Sequence, residues 1–167
     1  MSRDTIAKLA EGVCKNLKLD CSKMLALFTG PNCCLNSSSI NKFLDHGLQS
    51  TSTMNVIHLF QMIRTGSIAK FDYGNLLKNI YHYGHLVPPV YDIMAIPNEF
   101  PLFVGYGGQD ALSEEHDVQL LLNDLRDHDP NKLVVLFTKD YAHVDYFFAV
   151  NAKQIIYDPM IAFFSVN

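Results

Sequence analysis

The 167-residue sequence has no long apolar run and no concentration of positive charge. No stretch approaches the roughly 20 apolar residues of a membrane-spanning helix, so we expect no transmembrane segment. Lysine and arginine number 13 against 17 acidic residues, and no basic stripe is available to neutralise phosphates. Nucleic acid is therefore not an expected partner. The amino-terminal stretch also lacks the apolar centre of a signal peptide. What is present, 49% hydrophobic and 18% charged residues, is typical of a globular domain.

The cysteines are few and all lie in the first fifth of the sequence: Cys14, Cys21, Cys33 and Cys34. Neighbours in sequence seldom bond each other, so one hypothesis pairs Cys21 with Cys33 or Cys34, and the other leaves four buried thiols. Asn36 begins Asn-Ser-Ser, which is an N-glycosylation acceptor. Cysteines and acceptor together favour an oxidising compartment, whereas the missing signal peptide points the other way.

Helical spacing of apolar residues dominates residues 4 to 66. The predicted helices cover 4–17 (Ile6, Leu9, Val13 and Leu17), 22–28, a stretch from a serine cap at 37–39 to Gly47 (Ile40, Phe43 and Leu44), and one ending at Gly66 with Val56, Leu59, Phe60 and Ile63 inward. Gly30-Pro31 is expected to stop the second of these helices. Residues 67–101 are rich in Tyr, Gly and Pro and are predicted to form an ordered loop with at most short turns.

The period changes after residue 100. "PLFVGYGG" and "KLVVLFTK" are short continuous apolar runs, which predict strands buried on both faces. The amphipathic stretch between them predicts a helix capped by Ser113, with Val118, Leu121, Leu122 and Leu125 as its buried stripe. A last helical stretch contains Pro159, which predicts a kink or restart. This order indicates a parallel sheet whose functional groups gather at the carboxyl ends of the strands.

Asp110 and His143 lie just beyond the carboxyl ends of these two predicted strands. If the strands are neighbours, the two side chains can meet over one edge of the sheet. A carboxylate that accepts the Nδ1 proton of an imidazole fixes its tautomer, which is the orienting half of a nucleophile-base-acid triad. The alternative is a turn-forming or helix-capping acid beside a surface histidine.

Three further groups of residues are weaker candidates. His58, His82 and His85 could ligate zinc, although surface histidines explain them as well and no fourth ligand is spaced to join them. The other two groups are apolar or aromatic: an acyl pocket from Tyr141, Tyr146, Phe147 and Phe148, and a lipid-facing set of Leu59, Phe60, Met62 and Ile63. Ordinary packing explains both groups equally well, and burial against the sheet is the expected duty of the two phenylalanines.

Long motifs in the sequence resemble a known family. "PLFVGYGGQDALSEEHDVQLLL" and "KLVVLFTKDYAHVDYFFAVNAKQIIYDPMIAFF" are similar to the carboxyl-terminal part of the acid lipases, the α/β hydrolases that include lysosomal acid lipase, gastric lipase and the plant triacylglycerol lipases. "CSKMLALFTGPNCCLNSSSINKFLDHGLQ" and the helix after it resemble that family's cap, and "HYGHLVPPVYDIMAIP" resembles the segment that returns to the sheet. The resemblance covers nearly the whole chain, and the motifs are most similar to those of the plant-type members.

The resemblance implies the carboxyl-terminal portion of an α/β-hydrolase fold with a helical cap. It implies a cap over residues 1–75, a connecting segment over 76–100, and the last two strands and helices of the core over 101–167. The family's catalytic acid falls on Asp110 and its base on His143. Its substrates are triacylglycerols or sterol esters, it needs no cofactor or metal, and its members are found in the lysosome or vacuole or are secreted.

The nucleophile is missing from this pattern. In α/β hydrolases it precedes the acid, within G-x-S-x-G, and no serine before Asp110 is flanked by two such glycines. Ser67 follows Gly66, but Ala69 stands at the second glycine position. The first hypothesis is therefore a partial lipase, inactive alone, with acid and base but no nucleophile elbow. The second is a non-catalytic lipid-binding or lipase-associating fragment that pairs through an exposed sheet edge. A truncated gene model is the third.

Overall fold

A computed structural model describes residues 21–42 and 51–167. The chain divides into two compact units, one made of Met1–Gln49 with Ile96–Asn167 and the other of Ser50–Ala95. The predicted helix over 4–17 lies outside the described residues, and so do Phe43, Leu44 and Gly47. No helix among the described residues is long and apolar enough to cross a membrane.

The first unit begins with two short helices. Helix α1 covers Cys21–Thr29 and ends at Gly30, whose φ of 87° is left-handed, as the glycine-proline pair predicted. Helix α2 covers Ser37–Lys42. The predicted serine cap is wrong, because Asn36 Oδ1 accepts the Ser39 N–H at 2.8 Å and so satisfies the first turn.

A two-stranded parallel sheet follows, as predicted. Strand β1 (Leu102–Gly107) and strand β2 (Leu133–Thr138) pair in register from Leu102 opposite Leu133 to Gly107 opposite Thr138. Helix α5 (Glu115–Asp124) joins them, and its predicted stripe holds, with Val118 and Leu125 buried. The predicted Ser113 cap is wrong, since the N-cap position is Glu114 and no side chain caps the helix.

Burial of both sheet faces is also a wrong prediction. Val135 and Phe137 of β2 are 42% and 45% exposed. The continuous apolar pattern of the strand is typical of a larger sheet that is covered on both sides. Within the described residues the sheet has two strands, and these side chains have no covering layer.

The chain after β2 forms the core of the first unit. Helix α6 covers Asp145–Phe148, a π-helical turn covers Lys153–Tyr157, and helix α7 covers Asp158–Val166 with a proline in its first turn. The restart predicted at Pro159 is therefore confirmed. The buried core cluster consists of Tyr141, Ala149, Ala152 and Ile156, with Cys34, Leu136, Tyr146 and Tyr157 packed against it.

The second unit holds helices α3 (Thr53–Thr65) and α4 (Leu76–Tyr83) and a 3-10 turn at Ile93–Ala95. The loop predicted for residues 67–101 is thus wrong at α4. Asn75 Oδ1 accepts the Lys78 N–H at 3.1 Å, and the chain leaves the helix at Gly84, so both ends are capped although the helix is short. A single antiparallel bridge joins Ala69 to Val90.

The orientation predicted for α3 is wrong. The four residues predicted to face inward are exposed, from 41% at Val56 to 67% at Ile63. Polar side chains of α3 make the contacts instead, because Gln61 exchanges two hydrogen bonds with the Asp72 backbone at 2.7 and 2.9 Å. His58 Nε2 lies 2.7 Å from the Ala69 carbonyl oxygen. The helix therefore attaches to its unit through a polar face.

Candidate active site

Two loops meet after the carboxyl ends of β1 and β2. Gln109 donates its backbone N–H to the Tyr141 carbonyl oxygen at 3.0 Å. A Cβ atom at Gly107 would collide with that same carbonyl oxygen. Glycine at the end of β1 therefore allows the loop that carries Asp110 to lie directly against the loop that carries His143.

The Asp110 carboxylate uses both of its oxygens. Its Oδ1 accepts the N–H groups of Leu112 and Ser113 at 2.8 and 2.9 Å, and its Oδ2 lies 3.0 Å from His143 Nδ1. Its side chain is only 5% exposed. Asp110 thus both stabilises the turn and contacts the histidine. These three contacts hold the carboxylate in one orientation.

The contact with Asp110 defines the tautomer of His143. An ionised carboxylate can only accept, so Nδ1 carries the proton and Nε2 of the neutral ring keeps its lone pair. No described residue forms a hydrogen bond with Nε2, and the side chain is 40% exposed. The backbone N–H of His143 donates to the Thr29 carbonyl oxygen at 3.0 Å. The ring therefore presents a basic nitrogen on the accessible side of the site.

Cys33 and Cys34 lie against the His143 loop and are bonded to each other. The predicted pairing of Cys21 with either of them is therefore wrong, and the side chain of Cys21 is outside the described part. Both cysteines contact the same side chain, because their backbone N–H groups donate to the carboxylate of Asp145. Sequence reasoning missed Asp145 altogether.

The aromatic residues around His143 differ in their contacts and in their burial. Tyr146 is partly buried, and its hydroxyl lies 2.5 Å from Thr138 Oγ1 at the end of β2. Burial raises the pKa of Tyr146, so its hydroxyl stays protonated. The burial predicted for Phe147 is wrong, since it is 65% exposed with its ring centre 6.4 Å from that of His143. Phe148 is partly buried, which agrees with packing.

The other candidate residues make contacts of their own. His58 contacts the Ala69 carbonyl, His82 stacks on Tyr73 with ring centres 4.1 Å apart, and His85 is exposed. The structure does not bring these three histidines together as a potential metal-binding group among the residues it describes. Asn36 is exposed beside α2.

The fold and the Asp110–His143 pair together indicate a general class of protein. Parallel strands joined by a helix, with polar side chains directly after the strand ends, are typical of α/β proteins that act on ligands at that edge. A carboxylate on an imidazole at that edge is the acid and base arrangement of several hydrolases.

Comparison with known proteins gives the family. The chain is 44% identical to Triacylglycerol lipase 2 of Arabidopsis thaliana over 159 residues, which is 95% of the chain and 38% of that protein. It is 39% identical to Triacylglycerol lipase 1 of the same plant over 161 residues, and 32% identical to human Gastric triacylglycerol lipase over 160. No protein-family model matches the chain.

These matches confirm the resemblance: the chain is a homologue of the acid lipases, both plant and gastric or lysosomal, and matches their carboxyl-terminal part. It spans 38% and 39% of the length of the two plant relatives. Lipase homologues imply an α/β-hydrolase fold, and helices with a two-stranded parallel sheet are consistent with a part of that fold.

Proposed function

We propose that this chain contributes the acid and the base of an acid lipase that hydrolyses triacylglycerols or sterol esters. The observation that carries the proposal is the 3.0 Å contact between His143 Nδ1 and Asp110 Oδ2 at the carboxyl ends of two parallel strands. Homology to triacylglycerol lipases supports the choice of ester substrates.

The proposed reaction uses both nitrogens of His143. Nε2 removes the proton of a serine hydroxyl as the serine oxygen attacks the ester carbonyl, and it then protonates the departing alcohol. Water hydrolyses the resulting acyl-serine by the same route. Asp110 remains ionised and stabilises the imidazolium that forms in each half-reaction. The nucleophilic serine belongs to a G-x-S-x-G elbow, which these 167 residues do not contain.

The finer features inferred from the family are part of the same proposal. By likeness to the family we propose a cap over residues 1–75, a connecting segment over 76–100 and the core over 101–167, although the compact units of the structure divide at other positions. The exposed Leu59, Phe60 and Ile63 of α3 would meet the lipid. Asn36 is exposed and is a candidate for glycosylation in a secreted, lysosomal or vacuolar protein.

A second candidate function has one observation in its favour. Val135 and Phe137 on β2 are exposed, and the sheet has only two strands among the described residues. An open apolar sheet can pair with another chain. In this alternative the chain is a non-catalytic fragment that binds lipid or associates with a lipase.

A chimera tests the proposed function. The 167 residues replace the matched carboxyl-terminal part of Arabidopsis Triacylglycerol lipase 2, and hydrolysis of a triacylglycerol emulsion and of a nitrophenyl ester is compared with that of the parent lipase. We expect the chimera to hydrolyse both substrates, because its own acid and base complete the triad of the host. We expect the 167-residue chain alone to hydrolyse neither.

Two results would contradict this account. A folded chimera without activity, beside an active parent lipase, would overturn the catalytic proposal. Binding of the chain alone to lipid vesicles would then support the alternative. Hydrolysis by the chain alone that is lost in His143→Ala would mean that a serine within these residues completes the triad.

A further inference from the structure

Asp145 is the most deeply buried charged residue in the part of the chain that the structure describes. It lies at the first position of α6, two residues after His143, and is 0% exposed. No cation pairs with it among the described residues. A buried carboxylate is costly unless hydrogen bonds replace its water. The hydrogen bonds that Asp145 accepts therefore indicate which parts of the chain it holds in place.

Three backbone N–H groups donate to the Asp145 carboxylate. Oδ2 accepts from Ala142 at 2.9 Å and from Cys33 at 3.0 Å, and Oδ1 accepts from Cys34 at 3.1 Å. Ala142 immediately precedes His143. The carboxylate therefore closes a tight turn around His143 and fastens that turn to a segment more than 100 positions earlier in sequence.

That segment, Thr29–Cys34, also contacts the histidine loop directly. The Thr29 carbonyl accepts the His143 N–H at 3.0 Å, and Asn32 Oδ1 accepts the Val144 N–H at 3.2 Å. The Cys34 carbonyl accepts the Val150 N–H at 3.0 Å. Hydrogen bonds thus run in both directions between the segment and His143 with the residues that follow it.

The same segment reaches the loop that carries Asp110. The Thr29 carbonyl that accepts from His143 also lies 3.5 Å from the Ala111 N–H. Gly30 has a φ of 87°, and a Cβ atom there would collide with the Gln109 carbonyl oxygen. Thr29–Cys34 therefore contacts His143 through its own backbone N–H and lies against the two neighbours of Asp110, Gln109 and Ala111.

We propose that Asp145 is a positioning residue that fixes His143 against Asp110 by fastening the histidine loop to Thr29–Cys34. The disulfide between Cys33 and Cys34 supports this role, because it links the two residues whose N–H groups bind the carboxylate. An effect of Asp145 on catalysis rests on the proposed function. Its effect on the position of His143 does not.

Proton NMR of the full 167-residue chain tests the positional part. A hydrogen-bonded Nδ1–H of His143 gives a low-field resonance in the unmodified chain. Asp145→Asn has nearly the same shape but turns an amide NH₂ towards backbone donors, which leaves buried N–H groups unpaired. We expect the resonance to be lost. Amide hydrogen exchange at Ala142, Cys33 and Cys34 should become about tenfold faster or more.

Asp158→Asn is the matched control, because it removes the same charge from an exposed carboxylate that pairs with Lys153 at 2.7 Å. It should leave the resonance and the three exchange rates unchanged. If Asp145→Asn does not fold, Asn32→Ala keeps the buried carboxylate and removes only the contacts of Asn32. The resonance should then weaken.

The outcomes separate the two proposals. A low-field resonance that survives in folded Asp145→Asn would overturn the positioning role alone. One that survives in Asn32→Ala would overturn the attachment to Thr29–Cys34 as the means by which His143 is held. Absence of the resonance from the unmodified chain would contradict the Asp110–His143 pair, and with it the proposed function. In the active chimera, Asp145→Asn should lower kcat about tenfold or more with KM nearly unchanged, because the substrate does not touch Asp145.

Discussion

His143→Ala in the lipase chimera is expected to lower kcat about 10⁴-fold or more. The substitution removes the only group in the pair that exchanges protons with the serine and the leaving alcohol. Asp110→Asn should lower kcat by a similar factor, because an amide in place of the carboxylate favours the wrong imidazole tautomer. The measurement is steady-state hydrolysis of a nitrophenyl ester at a saturating concentration.

His116→Ala is the control for this prediction. His116 is exposed on α5, and no catalytic contact involves it. Its substitution should leave kcat within about twofold of the parent chimera, as is usual for exposed positions. A His143→Ala chimera that retained more than a tenth of the activity would show that another residue acts as the base.

Gly107→Ala is expected to destabilise the first unit by about 3 kcal/mol. The added Cβ would collide with the Tyr141 carbonyl oxygen, which is backbone and accepts the Gln109 N–H. Neither loop can move away without breaking that hydrogen bond. Chemical denaturation of the 167-residue chain, followed by circular dichroism, measures the free energy of unfolding.

Gly105→Ala on the same strand is the matched control. Its Cβ would meet only side-chain atoms, the nearest at 3.3 Å on the Tyr146 ring, which can shift by a few tenths of an ångström. Alanine also restricts the unfolded chain, so the net change should stay within about 1 kcal/mol. Equal losses for the two variants would mean that the close approach of the two loops is not what Gly107 provides.

The sequence predicted the two strands and the carboxyl-terminal end of α3 well because these depend on local pattern. Continuous apolar runs gave β1 and β2, and Gly66 marked the end of α3. Helix α4 was missed because aromatic and glycine-rich surroundings obscured its caps. The outward face of α3 was missed because its attachment is polar, through Gln61 and His58, whereas hydrophobic periodicity assumes an apolar one.

The candidate site was predictable only in part, for a similar reason. Asp110 and His143 follow strands that pair, so parallel-sheet geometry was enough to bring them together. Asp145 binds residues 111 and 112 positions away in sequence, and no local pattern reports such contacts. The Cys33–Cys34 bond joins the two residues that make this contact. The general rarity of bonds between neighbours favoured the wrong pairing.

A double-substitution cycle at Asp110 and His143 in the chimera tests the central claim most directly. If Asp110 acts only through His143, the doubly substituted chimera should be no slower than His143→Ala alone, since residues that act as one unit give non-additive losses. The measured quantity is kcat for the two single variants, the double variant and the unsubstituted chimera. Losses that simply multiply would contradict the account, because the two side chains would then act independently.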